Sequence, residues 1–187
     1  MNKLAAMTLA IFLVVGGGTA AFAKATTVST DKGVFEVDGS FGVGTGPGSY
    51  DGGPGVNFGA GYMLSTIDKN LQARVDLSYY DFSYDILIYK LSYTRIPITV
   101  SARYYFPIND RLKAFAQAGI ETSFDSSDNY DPFFGTKHSK SEVNIGLSPG
   151  GGIEFFVAPQ ISIFALGKAH IISDSYFSMQ FGAAFHF

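Results

Sequence analysis

The 187-residue chain contains no cysteine and no tryptophan, and few of its side chains are charged. Without cysteine there is no disulfide framework, no thiolate metal site, no cysteine nucleophile and no lipid attachment to an N-terminal cysteine. Charged residues make up 16% of the chain, compared with roughly 25% in an ordinary soluble domain. We therefore expect that much of the folded surface does not face water.

The charges that are present show no excess of one sign that would suit a polyanionic partner. The chain has 13 Lys and Arg against 16 Asp and Glu, for a net charge of −3. Domains that bind nucleic acid carry a basic patch or stripe. We therefore expect no nucleic-acid partner.

The first segment has the pattern of an export signal. Residues 1–3 form a short basic segment, residues 4–15 are apolar, and small residues lead to Ala21-Phe22-Ala23. This order of segments predicts a cleaved signal peptide at 1–23, which leaves 24–187 as a single domain. A retained membrane helix is the alternative, because residues 4–23 carry no charge.

The remainder has a β-type composition, with 18 Phe, 11 Tyr and 22 Gly, and its side chains alternate between apolar and polar. Eight windows of about ten residues show this period of two, and none shows a helical stripe. An even number of such strands is typical of a membrane-spanning antiparallel barrel. A soluble sandwich also alternates, so the connections and the charges have to decide between the two folds.

The predicted connections differ in length from one end of the strands to the other. Brief turns are predicted at 65–70, 107–111 and 156–160, whereas longer polar loops are predicted at 45–53, 81–90 and 122–141. A fourth connection at 173–175 is short. Short turns at one end and long loops at the other are the asymmetry of outer-membrane barrels.

The placement of aromatic and of charged side chains favours the barrel as well. Aromatic side chains gather near both ends of the apolar face, as in the interfacial girdles of such barrels. All eleven charged residues in the windows fall on the polar face, and His170 shares that face. A charge at mid-depth on a lipid-facing surface costs roughly 2–4 kcal/mol, so contact with hydrocarbon would exclude charge from one face in this way. We predict a paired charge network in the lumen, formed by Glu36, Asp38, Arg74, Asp76, Arg95, Arg103, Lys113, Glu121, Glu142, Glu154, Lys168 and His170.

Three stretches carry a resemblance to a known family. They are Tyr104-Tyr105-Phe106-Pro107, Gly151-Gly152-Ile153-Glu154-Phe155-Phe156, and the closing strand with Phe181, Ala183, Phe185 and Phe187. The chain resembles the small outer-membrane β-barrel proteins of the OmpA, OmpX and Opa type, which are porin-like proteins of Gram-negative bacteria.

The resemblance implies an all-β fold, an eight-stranded antiparallel up-and-down transmembrane β-barrel in the cell outer membrane with both termini in the periplasm. It also implies an assembly signal at Phe181, Phe185 and Phe187, read by the barrel-assembly machinery after delivery by periplasmic chaperones. The lipid partners it implies are outer-membrane lipid and lipopolysaccharide.

Catalysis is not expected. His170 lies near Ser173 and Asp174 in sequence, but we expect His170 to point inward and Ser173 to lie in a loop. Asp125, Asp128 and Asp131 lack the spacing of a calcium loop. We expect no enzyme activity, no catalytic residues, no cofactor and no metal site.

The longest predicted loop is the candidate contact surface. It combines aromatic and basic side chains suited to a host surface ligand or to lipopolysaccharide, namely Tyr130, Phe133, Phe134, Lys137 and Lys140. A solvated loop without a ligand is the alternative. We expect a monomeric structural or surface-interaction protein with a closed lumen; the alternative function is a narrow porin-like channel for ions or small solutes.

Overall fold

The computed structural model describes residues 35–46, 51–86, 89–131 and 136–187. The predicted signal peptide lies outside these ranges. Within them, no helix is long and apolar enough to cross a membrane. The strands are β1 (Phe35–Gly44), β2 (Gly53–Met63), β3 (Leu71–Ile86), β4 (Tyr89–Pro107), β5 (Leu112–Asp131), β6 (Thr136–Leu147), β7 (Gly150–Ala158), β8 (Ile161–His170) and β9 (Tyr176–His186).

The strands close into a barrel. Each of β1 to β4 pairs antiparallel with its successor, β8 pairs with β9, and β9 pairs with β1. Closure joins the first and last strands, with Glu36 opposite His186 and Gly44 opposite Ser178. The predicted antiparallel barrel is confirmed, and a closed barrel leaves no sheet edge within the hydrocarbon region.

β6 and β7 are two parts of one barrel strand, so the nine segments form eight barrel strands. Both lie on the same side of β5, with Ile120 opposite Leu147 and Gln117 opposite Gly150, which is one unbroken register. The interruption falls at Ser148 and Pro149. Proline has no N–H to donate to the ladder, which explains the break without a change of phase.

The two ends of the barrel differ, and we name them by their connections. At the turn end, residues 64–70, 108–111 and 159–160 link β2 to β3, β4 to β5 and β7 to β8. Phe35 and His186 lie at the same end, since they begin β1 and end β9. The other end, where β1 joins β2 and β8 joins β9, is the loop end.

Two predicted loops are wrong. Most of 81–90 belongs to β3 and β4, and most of 122–141 belongs to β5 and β6. β4 and β5 reach 19 and 20 residues, whereas about 9–11 residues cross a bilayer. The loop-end half of β5, residues 122–131, is rich in Ser and Asp, because a strand beyond the hydrocarbon is not required to keep an apolar face.

The two faces of the wall carry different side chains. Val75, Val100 and Ile120 are register neighbours on β3, β4 and β5, and are 50%, 61% and 60% exposed on the outside. Arg74, Arg103 and many other polar side chains are buried inside. A soluble protein has apolar side chains inside and polar ones outside. Here the arrangement is reversed, as contact with lipid requires.

Candidate functional site: the barrel interior

Arg74 occupies the centre of an ionic cluster in the turn-end half of the lumen. Its Nη1 lies 2.5 Å from Glu36 Oε1, its Nη2 lies 2.9 Å from Asp76 Oδ1, and Nη2 also pairs with Asp38. The side chains are almost completely buried, at no more than 3% exposure. Three carboxylates around one guanidinium need further cations nearby.

Gly59 makes room for this cluster. It lies opposite Asp38 on β1 and Asp76 on β3, and a Cβ at this position would overlap the Arg74 guanidinium and the Asp38 carboxylate. Glycine here is a matter of space, because the three charged side chains converge directly over its backbone.

Two further cations complete the turn-end cluster. Arg103 Nη1 lies 3.6 Å from Glu36 Oε1, and Lys168 Nζ lies 3.7 Å from Asp76 Oδ2. Arg103 also donates to Gln117 Oε1 at 3.1 and 3.0 Å, and Gln117 Nε2 donates to Asp76 at 3.2 Å. The charges of the cluster are therefore linked across opposite walls of the lumen.

A second cluster lies toward the loop end around Arg95. Arg95 Nε and Nη2 donate to the two Asp125 oxygens, each at 2.8 Å, and Nη1 donates to the Asp174 carbonyl at 2.9 Å. Asn144 Nδ2 donates to Asp125 Oδ2 at 2.9 Å. Since the guanidinium also lies 4.9 Å from the centre of the Tyr176 ring, Arg95 is held under the connection between β8 and β9.

His170 lies below this cluster. His170 Nδ1 is 2.5 Å from Glu121 Oε2, and Nε2 is 2.9 Å from Ser178 Oγ. The imidazole stacks on Tyr176 with 3.9 Å between ring centres. The carboxylate, imidazole and hydroxyl are in triad order, but each is at most 1% exposed, so the arrangement offers a substrate no access.

His170 lies near Ser173 and Asp174 in sequence, but the structure gives Ser173 and Asp174 other partners. Ser173 donates to Asn144 at 3.0 Å, and Asp174 offers its backbone carbonyl to Arg95.

The structure buries ten of the twelve residues assigned to the lumen network. Lys113 is half-buried at the turn end, with its ammonium over the rings of Tyr105 and Phe156. Glu142 departs from the expectation: its side chain is 47% exposed and pairs with Lys140. It lies opposite Asp125 on β6, but this part of β6 extends above the closed wall, and water therefore reaches it.

The predicted loop contacts are placed differently from one another. Tyr130 and Lys137 are register partners on β5 and β6, whereas Phe133 and Phe134 lie outside the described residues. Lys140 is 73% exposed, and its contact with Glu142 raises the pKa of the ammonium.

Several lumen residues were missed by the sequence analysis. Gln72 Nε2 donates to Glu36 Oε2 at 2.7 Å, Tyr105 OH lies 3.1 Å from the same oxygen, and His186 lies beside Glu154. All of them occupy the polar phase of their strands, which was the available signal. Tyr105 was obscured by its outward neighbours Tyr104 and Phe106, because all three are aromatic.

Comparison with known proteins gives a family match. A family model described as outer membrane protein beta-barrel domain matches residues 10–187. No curated protein matches the chain.

Solved structures share the fold at low identity. The attachment invasion locus protein Ail of Yersinia pestis has a TM-score of 0.61 at 15% identity, covering 83% of this chain and 99% of Ail. Neisserial surface protein A has a TM-score of 0.58 at 20% identity, covering 82% and 97%. OprG of Pseudomonas aeruginosa has a TM-score of 0.63 at 11% identity, covering 83% and 96%.

Proposed function

The chain belongs to the outer membrane protein beta-barrel domain family, and on that premise we propose a non-catalytic role at the cell surface. The barrel is a rigid anchor with a closed lumen, and the strand extensions at the loop end contact ligands outside the cell. The observation that carries this proposal is the length of β4 and β5, 19 and 20 residues.

The extensions form a sheet that the membrane does not need. Beyond the membrane-crossing part, β3 pairs with β4 as far as Ile86 and Tyr89, and β5 pairs with β6 as far as Asp131 and Thr136. Because about 9–11 residues are enough to cross, nearly half of β4 and β5 lies beyond the bilayer. A folded sheet held at a distance from the membrane suits contact with a large or surface-bound partner.

A closed lumen is supported by the two charge clusters. An eight-stranded barrel is just wide enough for side chains to fill. The Arg74 cluster and the Arg95 cluster occupy it from opposite ends, with their side chains locked by ion pairs. We propose that this network stabilises the barrel and blocks passage.

The difference between the two ends supports an orientation in the membrane. We propose that the turn end and both termini lie in the periplasm and that the loop end faces outward, as short turns and long extensions do in this class of barrel. Export by the 1–23 signal peptide would deliver the chain to periplasmic chaperones and the barrel-assembly machinery, with Phe181, Phe185 and Phe187 as the assembly signal.

The ligand proposed for the extensions is anionic. Lys137 and Lys140 lie on the same strand near the tip of the β5–β6 hairpin, and positive charge near the tip attracts sulfate and phosphate groups. Ail has been solved in complex with the heparin analogue sucrose octasulfate, with a TM-score of 0.58 and 16% identity to this chain. Sulfated glycans and lipopolysaccharide phosphates are therefore the ligand classes to test.

The test is heparin binding by cells that display the protein. Replacing Lys137 and Lys140 together with Ala is expected to reduce the binding of labelled heparin, whereas replacing Lys69 and Arg111, two cations at the turn end, is expected to leave it unchanged. Equal amounts of folded protein in the outer membrane must be verified for both variants. Binding that is unchanged in the Lys137 and Lys140 variant would contradict the assignment.

A narrow channel is the second candidate. It is favoured by the buried polar atoms along the lumen that have no hydrogen-bond partner in the described part of the chain, including Lys168 Nζ, Glu121 Oε1 and Gln180 Oε1. Such groups need hydration or a passing ion. Stable conductance in a planar bilayer that changes in Arg103→Ala would favour the channel, whereas no conductance by verified folded protein would favour the closed lumen.

A further inference from the structure

Three potential metal ligands converge at the turn end of the lumen. Glu36, Glu154 and His186 each offer one ligand atom, and these atoms all lie within 4.8 Å of one another. They come from β1, β7 and β9, and Glu36 and His186 are register partners across the strand pair that closes the barrel. We propose that these three side chains form a site for a divalent transition metal of the zinc class.

The spacing of the donor atoms fits such an ion. His186 Nε2 lies 3.0 Å from Glu154 Oε1, and His186 Nδ1 lies 3.8 Å from Glu36 Oε2. Zinc bonds to nitrogen and oxygen of about 2.0–2.2 Å place neighbouring ligands of a tetrahedron roughly 3.3 Å apart. Because these two distances involve different nitrogens of one imidazole, the metal bonds only one of them, and the imidazole and the Glu154 carboxylate turn so that all three side chains face one ion.

Glu154 has an unused oxygen in this position. Glu154 Oε1 accepts from Ser162 Oγ at 2.5 Å, but Oε2 is buried with no hydrogen-bond partner among the residues that the structure describes. The residue is 1% exposed. A buried carboxylate oxygen without a partner is costly, and a metal ion supplies the partner that it lacks.

The surroundings provide space for a fourth ligand. A cavity of about 40 Å³ at the turn end is lined by two of the three ligands, Glu36 and His186, together with Tyr105, Lys113 and others, but not by Glu154. One water needs a volume of roughly 10–15 Å³, so the cavity accommodates a water molecule beside Glu36 and His186. Three protein ligands and one water are a common zinc arrangement, whereas calcium takes six to eight oxygens, which this site does not offer.

The neighbouring cations set the strength of the site. Glu36 is paired with Arg74 and Arg103 through Oε1 and accepts from Gln72 and Tyr105 through Oε2. It is therefore held in place, and the two guanidiniums compete with a metal ion for its charge. Lys113 lines the same cavity. Repulsion from Lys113 weakens the binding of any cation, and its removal therefore strengthens binding.

A metal bound here ties together the first strand, the last strand and β7. Because β1 and β9 form the strand pair that closes the barrel, the ion stabilises that closure. This role goes beyond ligand binding at the loop end and does not depend on it.

The experiment is metal titration of the folded full chain in detergent micelles after treatment with a chelator. Co²⁺ is the probe for visible absorption and Zn²⁺ the probe for calorimetry, and folding is verified by the different gel mobility of boiled and unboiled samples. We expect one equivalent of either metal. His186→Gln and Glu154→Gln are expected to lose roughly 10- to 100-fold in affinity or more, since the loss of a neighbour that merely supports a ligand costs that much.

The matched controls use the other two histidines. His170→Gln removes another buried imidazole from the opposite half of the lumen, and His138→Gln removes the histidine of the loop-end hairpin; both are expected to bind metal as the parent does. Lys113→Ala is expected to bind more tightly. The proposal is overturned if folded parent protein binds no metal, if binding survives in both ligand variants, if it depends on His138, or if Lys113→Ala shows no gain.

Discussion

Arg95 on β4 and Asp125 on β5 are register partners joined by two parallel hydrogen bonds of 2.8 Å. The Arg95 side chain is fully buried and that of Asp125 is 3% exposed. Such a two-point contact fixes the relative position of β4 and β5 at the level where the wall gives way to the extensions. It is geometrically specific in a way that a lysine pair is not.

Breaking this pair is expected to destabilise the barrel strongly. Asp125→Asn leaves the Arg95 charge buried without its counterion, and removing one partner of a buried pair costs roughly 3–5 kcal/mol. Unfolding by urea in micelles, followed by gel mobility, measures the loss. The exposed Lys140 provides the control, because Lys140→Ala breaks a pair that water already screens and should leave the midpoint unchanged. Equal midpoints for the two variants would contradict the structural role of Arg95.

Gly59 is expected to be far less tolerant of a side chain than Gly39. In Gly59→Ala the new methyl group overlaps Arg74 and Asp38, and overpacking of this kind costs roughly 1–3 kcal/mol. In Gly39→Ala the nearest atoms belong to the Phe58 ring at 3.8 Å, an ordinary contact. The same urea measurement should therefore separate the two alanine variants. Similar stability of both would mean that the Arg74 cluster adjusts freely.

The sequence predicted the wall of the barrel well, for a physical reason. Lipid excludes charge from the outer face, so the alternation of apolar and polar residues shows which side chains of a membrane-crossing strand face outward. Val75 and Val100 face outward, whereas Arg74 and Ser101 face inward. Beyond the hydrocarbon that constraint ends. The upper parts of β5 and β6 therefore have the composition of a loop, and hydrogen bonding between the strands, which composition does not encode, makes them a sheet.

The sequence did not predict which charged side chains contact one another. Alternation indicates that Arg74 and Glu154 face inward, but partner choice depends on the stagger between strands. Arg74 contacts Glu36, which lies two strands away, and Glu154 contacts His186, also two strands away. The stagger also brings Glu142 above the closed wall, although its phase is the same as that of buried neighbours.

The depth of the lipid-facing band is testable with a single charge. Val100 is 61% exposed near the middle of β4, and Val100→Arg is expected to cost roughly 2–4 kcal/mol and to lower the yield of refolding into lipid vesicles. Ile67 is 75% exposed in the turn between β2 and β3, and Ile67→Arg should refold normally, because a charge there reaches water. Equal tolerance at both positions would mean that Val100 does not face hydrocarbon.

The closing aromatic residues allow assembly in cells to be separated from intrinsic stability. Phe187 N donates to Phe35 O at 2.8 Å, and its ring lies 4.7 Å from that of Phe185, so these interactions lie at the rim of the barrel rather than within its wall. If Phe187 is part of the assembly signal, a chain ending at His186 should reach the outer membrane in reduced amount, yet refold in micelles nearly as well as the parent. Phe41→Ala removes an outward ring near the loop end that is 70% exposed, and this variant is expected to assemble normally. Loss of refolding in micelles together with loss of assembly would instead make Phe187 a stability residue, since the purified chain meets no assembly machinery.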